Sequence, residues 1–134
     1  MKKYFLFTGI VILLFLILIN NIEPNPVGTY VAKNNKFSID TIILNKKGFY
    51  DRVIYNKKDK KLLFKNKDRW TYKEGRIDLY GFFPNDDEPL YEGYDFESAL
   101  MVYSFPLERS FGRVVFHYNE VSARYQFHKL FFSK

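Results

Sequence analysis

The sequence predicts an all-β domain, an antiparallel meander, preceded by one N-terminal transmembrane helix. Three observations carry this expectation. Tyr4 to Ile19 form an almost unbroken apolar run, interrupted by Thr8 and Gly9. Beyond Pro26, apolar and polar residues alternate over short stretches, as in strands with one buried face. Turn residues recur at intervals of about ten positions, and no segment there sustains the 3.6-residue period of a helix.

The first element is residues 1–22. Lys2 and Lys3 precede the apolar run, the arrangement of an export signal. Cleavage of such a signal requires small residues just before the cut. Ile19 is instead followed by Asn20, Asn21, Ile22, Glu23, Pro24, Asn25 and Pro26, with no Ala, Ser or Gly until Gly28. A lipid-modified signal would end in Cys, and the chain has none. The expectation is an uncleaved signal anchor that crosses a membrane once through residues 4–19. The alternative is a cleaved signal and a secreted or periplasmic domain. An apolar run of about 16 to 19 residues rises about 24 to 28 Å, against a hydrocarbon core of about 30 Å. Tyr4 at the interface and snorkelling Lys2 and Lys3 make up the difference. Positive charge is retained inside, so the N-terminus is expected to be cytoplasmic and the C-terminal domain extracytoplasmic. Residues 23–26 read as a linker and 27–134 as one exported β-rich domain, too short for two cores.

The strands follow in order. Gly28-Thr29-Tyr30-Val31 is the first. Ile39 to Leu44 leads through Asn45-Lys46-Lys47-Gly48 into Phe49 to Tyr55, a hairpin whose Gly supplies a positive φ. The tip Asn56 to Lys61 leads to Leu62-Leu63-Phe64. Asn66-Lys67-Asp68 reads as a turn into Arg69 to Tyr72, and Glu74-Gly75 as a turn into Arg76 to Phe82. Residues 84–98, with Pro84, Pro89 and Gly93, are too long for a simple turn and read as a crossover with its aromatics packed down and its carboxylates in water. Ser98 to Tyr103 is compatible with a strand or a helical turn. Last, Phe111 to Tyr118 pairs with Ser122 to Leu130 around Asn119-Glu120-Val121, with His117 opposite Arg124. That register gives a core face of Val114, Phe116, Tyr118, Ala123, Tyr125 and Phe127. Arg113, Val115, His117, Arg124, Gln126 and His128 form the solvent face.

These positions resemble the small exported bacterial domains with a lipocalin-like β-barrel. The resemblance lies in Gly28-Thr29-Tyr30, in Ile42, Leu44, Gly48 and Tyr50, in Trp70 and Tyr72, and in Ile77, Leu79 and Phe82. It continues in Tyr125, Phe127 and Lys129. It covers most of residues 27–130 and implies a half-open barrel or sandwich. It implies no particular activity, because such folds host unrelated functions.

Charge is uneven. The net charge of +6 falls to +4 once Lys2 and Lys3 are assigned to the anchor. Residues 23–82 hold 14 Lys and Arg against 7 acids, whereas residues 83–98 hold six acids and no base. With no Cys, disulfides, thiol nucleophiles and Cys-type zinc sites are excluded. Aromatic residues are 20% of the chain, enough to fill a core without disulfides.

No catalytic, cofactor or metal residue is assigned. His117 and His128 share a face but lie about four positions apart, roughly 13 Å, too far for one zinc ion. Asp86-Asp87-Glu88 lack the spacing of a calcium loop. The serines sit in no nucleophile elbow, and no Gly-rich phosphate loop is present. Export argues against a nucleic-acid partner.

The expected function is non-enzymatic: a membrane-tethered exported domain that binds a protein partner, in the manner of an immunity protein. Asp86, Asp87 and Glu88 are the candidate partner-binding residues, offering charge complementarity to a basic surface. The alternative is a carrier of a small apolar ligand in a barrel cavity, with an envelope hydrolase as a further one.

Overall fold

Strand pairing is strictly sequential, and the first strand closes on the last. The structure, a computed structural model, describes residues 2–85, 87, 100–110, 113–117 and 126–130, with side chains in the N-terminal helix described for residues 7–18. The elements are α1 (Lys2–Asn21), β1 (Gly28–Lys33), β2 (Ser38–Leu44), β3 (Phe49–Asn56), β4 (Leu62–Lys73), β5 (Arg76–Phe82), β6 (Met101–Ser110), β7 (Arg113–His117) and β8 (Gln126–Lys129). The eight strands form a closed antiparallel up-and-down barrel. This is the architecture that the lipocalin-like resemblance implies, but it is closed rather than half-open. Closure comes from β1 against β8, with Tyr30 opposite Lys129 and Ala32 opposite Phe127. It removes the exposed sheet edges that a sandwich or half-open barrel would carry.

The period-2 alternation sets the inner face. Tyr30, Ile42, Leu44, Tyr50, Trp70, Ile77, Leu79, Phe82, Phe105, Leu107, Phe116 and Phe127 are buried in one cluster. Their rings interlock: Phe116 lies 5.0 Å from Tyr30, 5.3 Å from Phe105 and 4.9 Å from Phe127, centroid to centroid. Offset and tilted rings at these separations are the favourable arrangements of aromatic pairs.

Three expectations change, and one left open is settled. Asn66-Lys67-Asp68 is not a turn, because β4 runs unbroken across it. Its first part pairs with β3 and its last four residues, Trp70 to Lys73, with β5, so this long strand makes a corner of the barrel. Asn66 is useful there as a strand residue: its Nδ2 donates to the Gly81 carbonyl at 2.6 Å. Ser98 to Tyr103 resolves as strand from Met101 onward. The final hairpin has His117 opposite Gln126, not Arg124, and Phe116 opposite Phe127. That slip is two residues, so side chains keep their faces, as the alternation requires. Val115, expected on the solvent face, is nevertheless buried. Tyr118, Ala123, Arg124 and Tyr125 lie outside the described residues.

Among the described residues no helix is long and apolar enough to cross a membrane. The span expected over residues 4–19 therefore does not stand as a structural finding.

Candidate functional site

One end of the barrel is closed by polar groups rather than by the aromatic core. Asp40 on β2 and Arg52 on β3 are in phase with Ile42 and Ile54, so strand parity turns them inward. Both are essentially inaccessible to solvent, at 0% and 1% exposure. They meet as a two-pronged ion pair: Arg52 Nε donates to Asp40 Oδ1 at 3.0 Å, and Nη2 to Oδ2 at 2.6 Å. Arg52 Nη1 donates to the Phe83 carbonyl at 2.6 Å. The guanidinium also lies over the rings of Phe82 and Phe83, at 4.1 and 4.5 Å. A delocalised cation with fixed fork geometry suits this position, where an ammonium could not make all of these contacts.

The network extends to the segment after β5. Asn85 Nδ2 donates to Asp40 Oδ2 at 3.0 Å and to Ser38 Oγ at 3.1 Å, and Asn35 Nδ2 donates to the same hydroxyl oxygen. Asp87 then reaches the β1–β2 connection. Its carboxylate accepts from the backbone N–H of Lys36, Phe37 and Ser38 and from the Ser38 hydroxyl, the last two at 2.9 and 2.8 Å. Asp87 holds a left-handed conformation, φ 55°, to do this.

Chemically this is a latch. The ion pair neutralises itself and is hydrogen-bonded on each side, as buried charges must be. Nothing in it is a free nucleophile. A pocket lined by Ala32, Asn35, Asp40, Phe82, Pro84, Asn85 and Phe127 has a cavity volume of about 10 Å³, room for about one water molecule. Deeper in, burial raises the Tyr50 phenol well above its usual value. That phenol donates to the carbonyls of Tyr80 and Gly81 at 2.6 and 3.0 Å, holding the irregular stretch of β5 where the register shifts.

Of the three residues expected to bind a partner, Asp87 is an internal ligand of the barrel rim, not a carboxylate standing in water. Asp86 and Glu88 lie outside the described residues. Sequence reasoning passed over Asp40 and Arg52. The signal was present: each is a lone charge in phase with the apolar face of its strand. The two histidines are nearer than expected. His117 pairs with Gln126 and His128 with Val115, so they sit two positions apart on neighbouring strands, about 7 Å along the ladder. Burial, with Lys33, Arg113 and His117 nearby, lowers the His128 pKa. Among the described residues no group of three His, Cys, Asp or Glu side chains could hold a metal ion.

The outer surface at the same end is apolar and basic. Phe37, Tyr55 and Leu62 are 51%, 40% and 49% exposed. Tyr55 pairs with both Ile39 and Leu62, and the Phe37 carbonyl accepts from Lys57 N–H, so the three share one outer face. Lys36, Lys58 and Lys60 are exposed beside them. In comparisons with known proteins, no family model, curated protein or solved structure matches the chain.

Proposed function

We propose that this protein is a non-enzymatic binding domain, exported and tethered to a membrane by its N-terminal segment, that recognises a protein partner in the manner of an immunity protein. The observation that carries the reading is the exposed row Phe37, Tyr55 and Leu62 on the outside of a barrel whose inside is filled. Aromatic residues that stay exposed next to charge are typical anchors of interfaces. A packed interior with a water-sized cavity favours recognition by the surface over carriage of an apolar ligand. A self-neutralised ion pair favours binding over hydrolysis. Asp87 is held at the same rim, and the sequence around it, which includes Asp86 and Glu88, is acidic and would offer the opposite charge. Opposite charges on a partner would speed encounter and fix orientation.

The tether is supported by composition. Phe7, Leu13, Phe15 and Leu18 are 59–69% exposed on α1, and every described face of this helix is apolar. Such a helix is at home in lipid rather than in water.

The test is affinity capture from solubilised membranes with the full chain, against the variant Phe37→Ser/Tyr55→Ser/Leu62→Ser. These positions are exposed, so the barrel stays folded. A partner recovered by the parent and lost by the variant supports the reading. Equal recovery by both, or none by the parent, refutes it.

A further inference from the structure

At the opposite end of the barrel, where α1 joins β1, two cations point inward. Leu107 and Phe105 are buried on β6, so strand parity turns Arg109 to the inner face with them. Arg109 pairs with Val114, which packs on the core cluster. On β8, Phe127 is inward and Lys129 follows in phase, opposite Tyr30. His128 is paired with Val115, so the next rung of that ladder sets Lys129 beside Val114. Arg109, Val114 and Lys129 thus form one row across three strands at the barrel mouth.

The row is electrostatically incomplete. Among the described residues, the Arg109 Nε is buried without a hydrogen-bond partner. Lys129 Nζ donates to the Asn25 carbonyl at 2.8 Å, a neutral acceptor. Among the described residues neither cation has a carboxylate partner. Glu23, one acid at this end, accepts from the Tyr72 hydroxyl at 2.9 Å. The Lys129 pKa is lowered, first by burial and then by Arg109, the mark of two cations sharing a partly desolvated space. Gly28, φ 147°, leaves room for this side chain: a Cβ there would stand 2.5 Å from Lys129 Cε.

We propose that Arg109 and Lys129 form a binding site for a phosphate-class oxyanion at the barrel mouth beside α1. A phosphate accepts from the guanidinium edge and from the ammonium together, satisfies Nε and neutralises the repulsion. The mouth lies next to Asn25, four residues beyond the end of α1 at Asn21. A lipid headgroup and free phosphate present the same chemistry there. Only the lipid arm of the test depends on the membrane tether.

The experiment follows the melting midpoint of the full chain in neutral detergent by aromatic fluorescence. Inorganic phosphate is compared with chloride at equal ionic strength, and micelles doped with phosphatidylglycerol are compared with micelles doped with oleate. A ligand bound only by the native state raises the midpoint in proportion to the logarithm of its concentration. We expect millimolar phosphate, phosphatidylglycerol or both to raise it by several degrees beyond the controls. Arg109→Gln and Lys129→Gln should each remove most of the rise, Gly28→Ala should weaken it by displacing Lys129, and Lys46→Gln, at an exposed hairpin tip, should leave it intact. A response to phosphate alone identifies a soluble oxyanion; a response to the lipid alone identifies a headgroup. No rise with either in the parent chain, or an equal rise with chloride or oleate, overturns the site.

Discussion

Replacing Asp40 by Asn removes the charge from the centre of the latch while keeping its size. Arg52 would then remain a cation at 1% exposure with no counter-charge among the described residues, only the neutral amide oxygen of the new side chain, one backbone carbonyl at 2.6 Å and two aromatic faces. Removing one member of a buried ion pair costs about 3 to 5 kcal/mol, because the remaining charge is left uncompensated. For a domain of about 100 residues that corresponds to a fall in melting midpoint of about 12 to 20 °C. Urea denaturation should show a matching fall in midpoint with an unchanged slope, since the surface exposed on unfolding is unchanged. The double variant Asp40→Leu/Arg52→Met removes both charges and fills similar volume. It should lose less than the sum of the single changes Asp40→Leu and Arg52→Met, since a buried pair replaced by apolar residues is often near neutral. If Asp40→Asn costs less than about 1 kcal/mol, or if the double change is additive, the pair is not the buried, mutually dependent unit described above.

The other predictions concern packing, the rim and pH. Phe116→Ala should destabilise by about 3 to 5 kcal/mol, since its ring is wholly buried against three others, and calorimetry checks this. His117→Ala should stay within about 1 kcal/mol, because its contact with Glu108 at 3.5 Å is a surface pair. Asp87→Ala should cost about 1.5 to 3 kcal/mol, as expected for charge-assisted hydrogen bonds, and should accelerate hydrogen exchange at Phe37 and Ser38; unchanged exchange there would deny the latch. The lowered His128 pKa makes the unfolded chain the stronger proton binder just below the ordinary histidine value of about 6.5. Its contribution to stability is therefore complete above that pH and declines as pH falls toward the folded value. His128→Asn should flatten this part of the stability profile between about pH 5 and 6.5, where ordinary carboxylates are still ionised.

The barrel's strands were legible because alternation is local information. Tyr30, Ile42, Leu44, Trp70, Ile77, Phe116 and Phe127 announce their face through neighbours two positions away, whatever lies across the sheet. The same parity survived a two-residue slip in the last hairpin, since such a slip changes partners but not faces. Parity also placed Asp40 and Arg52 inward, although a lone charge in an apolar pattern does not name its counter-ion. Breaks in the pattern were less reliable. Asn66-Lys67-Asp68 carries turn-forming residues, yet a ladder partner on β3 and an acceptor at Gly81 make them strand.

Local sequence thus determined the all-β meander, the inward set of side chains and the uneven charge. Contacts between distant parts of the chain decided the rest. Lys129 meets the Asn25 carbonyl across 104 positions, and Asp87 meets the 36–38 backbone across about 50. Closure of β1 on β8, the neutral latch at one mouth and, at the other, two cations without a carboxylate partner among the described residues all arise from such meetings. No local pattern encodes them, because the strand period specifies which way a side chain points and not what it will find there.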